Sequence, residues 1–104
     1  MYRLIKNLFS KNDAKIAAFV RNGAYLVDVR TPAEFAEGHV NRSVNIPLDQ
    51  LSNRLEDFSR ETPIVVFCRS GNRSALALAM LAHHGFTKVV NGGTWQQIDK
   101  IVNN

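Results

Sequence analysis

One short stretch of this chain concentrates residues able to do chemistry: Cys68-Arg69-Ser70-Gly71-Asn72-Arg73-Ser74. It follows Ile64-Val65-Val66-Phe67, the most strand-like run in the sequence, and leads into an Ala/Leu-rich helical pattern over residues 73–83. A strand that turns tightly into a helix surrounds the turn with backbone N–H groups and the positive end of the helix dipole. A cysteine opening such a turn has its sulfur aimed into the concavity, where thiolate is favoured over thiol, so Cys68 is expected to titrate below a free cysteine. Arg69 and Arg73 add positive charge, and Gly71 permits close backbone approach or a positive φ. These conditions suit a nucleophile whose substrate is an anion. Free cysteines are often buried structural residues, but those have apolar neighbours; here two arginines, two serines and an asparagine follow within six residues.

The elements that must position this loop read as alternating strands and helices. Residues 13–22 form a helical pattern capped by Asn12 or Asp13, with Ile16, Phe19 and Val20 inward and Gly23 as its stop. Tyr25-Leu26-Val27-Asp28-Val29 reads as a buried parallel strand. Thr31-Pro32-Ala33-Glu34 is a helix start with Thr as N-cap, Pro at the first position and Glu three residues on, and that helix stops at Gly38. Ser43 to Ile46 reads as a brief strand, followed by a helix with Leu48, Leu51, Leu55 and Phe58 on one face. The helix over 73–83 is apolar nearly all round and is expected to be well buried. Lys88-Val89-Val90 reads as a strand, Gly92-Gly93 as a turn and Thr94 to Val102 as a last helix, with Thr94 and Gln97 at capping-box spacing. The fold expected is single-domain α/β, with a central, mainly parallel sheet of four or five strands flanked by helices. Ligands in such folds bind outside the carboxyl ends of strands, the edge where Asp28 and Cys68 both fall.

Composition bounds the function. With 104 residues, 45% hydrophobic and 21% charged, the chain is one ordinary globular domain. Its longest apolar run, Ala75 to Ala82, is far short of the roughly 20 residues that a membrane span needs. The net charge of +4 comes from 13 basic residues without a Lys/Arg block, which fits a small anionic substrate and gives no nucleic-acid signature. One cysteine excludes an internal disulfide and a Cys-x-x-Cys pair, so any second thiol must come from another molecule. With only His39, His83 and His84 besides, no zinc spacing exists, and neither metal nor organic cofactor is expected. Residues 1–12 form a separate basic amphipathic segment, with residues 13–104 as the domain. Residues 1–11 have the pattern of a helix able to rest on an anionic membrane surface; packing on the domain is the more frequent outcome and is the one expected. No signal-peptide pattern is present, so the expected location is cytoplasmic.

The sequence also resembles the rhodanese (thiosulfate sulfurtransferase) family from about residue 13 onward. Three motifs carry the likeness. The first is Asp28-Val29-Arg30-Thr31-Pro32-Ala33-Glu34-Phe35, continuing through Gly38-His39-Val40 to Asn45-Ile46-Pro47. The second is the Cys68–Ser74 loop, and the third is Val90-Asn91-Gly92-Gly93 followed by Trp95. An extra Thr94 separates the glycine pair from Trp95 compared with many members. The resemblance implies that Cys68 attacks the outer sulfur of thiosulfate, releases sulfite and holds a persulfide, which passes sulfur to cyanide or a cellular thiol. It further implies that amides of residues 69–74 stabilise the persulfide, that the loop arginines orient the donor, and that Asp28 and Arg30 are framework beside the site. Glu34 is then a helix cap, and His39 structural rather than a general base. His83 and His84 close a helix, where cations suit the dipole.

Loop length separates two enzyme classes. Cysteine phosphatases of related architecture use Cys-x5-Arg, leaving room for a tetrahedral phosphate, and commonly carry histidine before the cysteine. This chain has Cys68-x4-Arg73 and Phe67, the shorter loop of the sulfurtransferases. The alternative to an enzyme is a non-catalytic sulfur relay, or an anion- or partner-binding module of the same family, which the sequence does not separate from it. The expected partners are a small anionic sulfur donor and a thiol or protein acceptor. Oligomeric state has no sequence signal here.

Overall fold

The computed structural model describes residues 11–103, so nearly all of the N-terminal amphipathic segment lies outside the described residues. Helix α1 spans Lys11–Arg21. Asn12 and Asp13 thus lie inside it rather than capping a start at residue 13, and Asp13 stands in the first turn, where its charge suits the dipole. Strand β1 is Tyr25–Asp28, helix α2 Pro32–Glu37 and strand β2 Val44–Asn45. Strand β3 (Ile64–Cys68), helix α3 (Asn72–His83), strand β4 (Val89–Thr94) and helix α4 (Trp95–Val102) complete the fold.

The four strands form one parallel sheet in the order β2-β1-β3-β4. From β1 the chain crosses outward to β2, and from β3 it crosses the other way to β4. The switch point therefore falls between the carboxyl ends of β1 and β3, where diverging connections open a crevice. Asp28 and Cys68 end those two strands.

Side-chain alternation divides the core between the two faces of the sheet. Val27, Val29, Ile64, Val66 and Cys68 face Ala77 and Leu81 of α3 together with Leu51, Phe58 and Phe86. Leu26, Val65, Phe67 and Val90 face Ile16 of α1 and Ile98 of α4. All five β3 residues are buried, as a central parallel strand requires.

Three expectations are corrected. The single helix expected after β2 is two 3₁₀ segments, Leu48–Asn53 and Leu55–Asp57. Bonds such as Gln50 N–H to Pro47 (2.8 Å) and Arg54 N–H to Leu51 (3.0 Å) close three-residue turns. Asp49, Ser52, Asn53 and Asp57 in this stretch are weak helix formers, yet Leu51 and Phe58 are buried as the pattern implied. Gly92-Gly93 is not a turn but part of β4, where the pairing with β3 shifts register between Val66 and Phe67. A side chain on Gly92 would meet Ile98 Cδ1 at 2.6 Å, so the glycine lets α4 pack close against the sheet. Helix α3 buries only Ser74, Ala77 and Leu81 and leaves Leu76 61% exposed, because it covers one face of the sheet and nothing covers its outer side among the described residues.

Candidate active site

The loop from β3 to α3 is short because Gly71 turns it sharply, with φ 98° and ψ −9°. An L side chain is strained in that left-handed region. The turn brings the Gly71 N–H to 3.0 Å from Cys68 Sγ, and the first turn of α3 brings the Ser74 N–H and Oγ each to 3.4 Å. Burial pushes the Cys68 thiol up, but the Ser74 hydroxyl and the amides of Ser74, Ser70 and Gly71 outweigh it and hold the thiol below its usual value. Cys68 is itself 0% exposed. It is thus buried, as the structural alternative required, yet surrounded at the sulfur by donors, as the reactive one required.

The two arginines of the loop occupy different situations. Arg73 sits in the first turn of α3, with Nη1 donating to Glu34 Oε1 (2.7 Å) and Nη2 to Oε2 (2.9 Å). The fork is bidentate, and Glu34 also accepts from the Thr31 N–H at 3.0 Å within the capping box of α2. The Arg73 hydrogen bonds first, then the Thr31 amide, pull the Glu34 carboxyl down to about 2. Arg69 is exposed and makes no hydrogen bond or ion pair among the described residues. It lines an open cavity of about 310 Å³ with Glu34, Glu37, Trp95, Gln96 and the Arg30–Gly38 rim. Cys68 is not a wall of that cavity, which adjoins the loop through Arg69. Ser70 and Asn72 are exposed at the surface of the loop.

Asp28 and Arg30 form a buried ion pair, 0% and 4% exposed. Arg30 Nε lies 3.0 Å from both Asp28 carboxylate oxygens, and Nη2 donates to Oδ2 at 2.8 Å. The guanidinium also donates to the carbonyls of Glu34 (3.2 Å) and Gly38 (2.7 Å) and stacks 4.8 Å from the Trp95 ring. With every oxygen of Asp28 and both Nη groups of Arg30 engaged, the pair ties β1, α2 and α4 together.

Two asparagines that sequence reasoning gave no role support the site. Asn45 donates from Nδ2 to the carbonyls of Asp28 and Arg30, both at 3.0 Å, and so shapes the turn after β1. Asn91 on β4 accepts from Ser74 Oγ at 2.7 Å and donates to the Gly71 carbonyl at 3.2 Å. A polar residue interrupting the apolar run Val89-Val90 was the available signal. The histidines are not gathered here. His39 stacks on Phe35, with ring centroids 3.9 Å apart, and its Nδ1 donates to the Phe35 carbonyl at 2.8 Å. His83 ends α3, roughly 16 Å along the helix from its first residue. Among the described residues no three His, Cys, Asp or Glu side chains lie together as metal ligands, and no helix is long and apolar enough to cross a membrane.

The chain is 38% identical over 74 residues to the thiosulfate sulfurtransferase GlpE of Ectopseudomonas mendocina, covering 69% of this chain and 68% of the relative. It is 38% identical over 66 residues to a sulfurtransferase of Allochromatium vinosum, covering 64% of this chain. The chain spans 62% of the length of that curated relative. The crystal structure of reduced Bacillus anthracis CoADR-RHD superposes with a TM-score of 0.71 at 38% identity, covering 86% of this chain and 16% of that one. Residues 6–96 match the rhodanese-like domain, and the chain belongs to the rhodanese-like family.

Proposed function

We propose that this chain is a sulfurtransferase that carries sulfur on Cys68. The Cys68 thiolate attacks the outer sulfur of thiosulfate or of a persulfide donor. The S–S bond of the donor breaks, sulfite or a thiolate leaves with the electron pair, and Cys68 holds a persulfide. An acceptor thiolate or cyanide then attacks the outer sulfur and Cys68 departs as thiolate. The observation that carries the reading is the ring of donors at Sγ, with the Gly71 N–H at 3.0 Å, because it favours an anionic sulfur both as nucleophile and as leaving group. Arg69, unpaired among the described residues at the cavity rim, is assigned to orient the donor anion. Arg73 is assigned to hold α2 against the loop through Glu34. Asp28 and Arg30 act as framework. The reaction is assigned to the cytoplasm, where the one free thiol stays reduced.

The test is incubation with thiosulfate followed by intact-mass measurement. The wild type gains one sulfur atom and Cys68→Ser gains none; an unchanged wild-type mass rejects thiosulfate as donor.

A relay role is the second reading, favoured by the superposition on the longer CoADR-RHD chain, of which the match covers only 16%. Turnover with thiosulfate and a thiol acceptor separates the two. Many cycles indicate an enzyme, whereas one equivalent loaded and held until a partner protein is added indicates a relay.

A further inference from the structure

Both ends of the Asn91 amide are held by backbone. Its Nδ2 donates to the Gly71 carbonyl at 3.2 Å, and its Oδ1 accepts from the Gly93 N–H at 2.9 Å. A flipped amide would set oxygen against carbonyl and NH₂ against N–H, so its orientation is determined. The 2.7 Å contact from Oδ1 to Ser74 Oγ then has one reading, with the Ser74 hydroxyl as donor. A hydroxyl has a single proton. Ser74 is 0% exposed and its Oγ also lies 3.4 Å from Cys68 Sγ. With its proton directed at Asn91, it turns a lone pair toward the sulfur. That arrangement suits S–H, which donates to the oxygen, and opposes S⁻, which has nothing to donate.

We propose that Asn91 is a positioning residue that sets the direction of the Ser74 hydroxyl, competing with Cys68 for its one proton and yielding it to the sulfur once the sulfur is charged. Ionisation breaks the S–H bond, leaves its electron pair on sulfur and passes the proton to a solvent base such as buffer or hydroxide. Ser74 then rotates about Cβ–Oγ, gives up its bond to Asn91 and donates to the thiolate. Asn91 Oδ1 keeps the Gly93 N–H, so no buried acceptor is stranded. The exchange trades a neutral hydrogen bond for a charge-assisted one.

The surrounding charges do not offer an equivalent switch. On α3, Arg73 is clamped by Glu34, and on β1, Asp28 is neutralised by Arg30. Arg69 in the loop and Asp49 of the first 3₁₀ segment are exposed. Strand β4 presents no titratable side chain among Asn91, Gly92, Gly93 and Thr94.

The pH profile of Cys68 alkylation by iodoacetamide tests this in the full chain, whose one cysteine makes the readout unambiguous. Each variant is scaled to its own high-pH plateau, which separates ionisation from access. Below the wild-type midpoint, Asn91→Ala is expected to react about fivefold faster, the size of one neutral hydrogen bond, and to show no such gain when Ser74→Ala is also present. A merely structural Asn91 predicts the opposite sign, since a loosened loop weakens the N–H contacts to sulfur. An unchanged or slower scaled rate, or a gain that persists without the Ser74 hydroxyl, overturns the proposal. Should Asn91→Ala not fold, Asn91→Asp keeps an acceptor facing Ser74. It should slow the scaled rate, and by less in the Ser74→Ala background; equal slowing in both is plain charge repulsion and overturns the proposal. Alkylation needs no sulfur donor, so failure here leaves the sulfur-transfer reading intact, and a negative mass experiment leaves this one intact.

Discussion

Asp28 and Cys68 close neighbouring strands at one sheet edge, yet their surroundings are built on opposite plans. Asp28 pairs in register with Phe67, which places Cys68 one residue further along, and alternation sends the two side chains to opposite faces. Asp28 meets a full cationic charge, since Arg30 grips both of its oxygens and is itself saturated by the carbonyls of Glu34 and Gly38. Among the described residues, Cys68 Sγ is hydrogen-bonded by dipoles, namely backbone N–H groups and one hydroxyl able to rotate, and the Arg73 charge acts on it without a direct bond. A buried ion pair is costly to break and so holds a shape. Under the proposed function, the sulfur is charged, loaded and discharged, which needs partners that favour the anion without binding it irreversibly. The same sheet edge thus separates charge that builds the site from charge that reacts in it.

Breaking the rigid side gives the largest expected effect. Asp28→Asn leaves a guanidinium buried without its counter-charge and should lower stability by about 3 kcal/mol in urea unfolding. The protein that remains folded should still load sulfur; a loss of loading without a loss of stability would make Asp28 part of the chemistry and end the contrast. On the reacting side, Arg69→Ala should slow loading by thiosulfate about tenfold, the size of one charge-assisted hydrogen bond. Unfolding of that variant should match wild type, as expected for an exposed side chain, and an intact loading rate would remove the donor-orienting role.

The smallest effect concerns the join between the two regions. Glu34 has its carboxyl lowered from the usual 4.5 to about 2, first by the Arg73 hydrogen bonds. The sign follows from linkage: the stability contributed by this carboxylate is complete above pH 4.5 and is lost as pH falls through about 2. Glu34→Gln should therefore cost about 1 kcal/mol at neutral pH for this partly exposed pair. It should also flatten the fall in stability below pH 4.5, read from urea midpoints across that range.

The legible parts of this molecule share one property, short sequence separation. The capping box of Thr31 and Glu34, the Thr94 cap whose Oγ1 accepts from the Gln97 N–H at 3.2 Å, and the loop from Cys68 to Ser74 each close within six residues. Spacing and residue type suffice there because the partners lie within a single turn. Strand β3 was legible for another reason, since a central parallel strand is apolar on both faces. Gly92-Gly93 was misread because a glycine pair signals a turn locally, while its use here depends on how closely Ile98 and Val65 approach Gly92. Helix α3 was misread as well, because an apolar composition does not say how many neighbours will cover it.

By itself the sequence determined a parallel α/β domain, a cysteine at a strand end that is expected to be activated, and a loop one residue too short for the phosphatase pattern. Only the tertiary structure decided how those parts are held. Arg73 meets Glu34 across 39 residues, and Ser74 meets Asn91 across 17. Neither partner is implied by local periodicity, because each contact exists only once the crossovers set β1, β3 and β4 side by side. Local chemistry thus pointed to Cys68 as the proposed nucleophile, and strand order supplied the Asn91 that accepts from the Ser74 hydroxyl beside it.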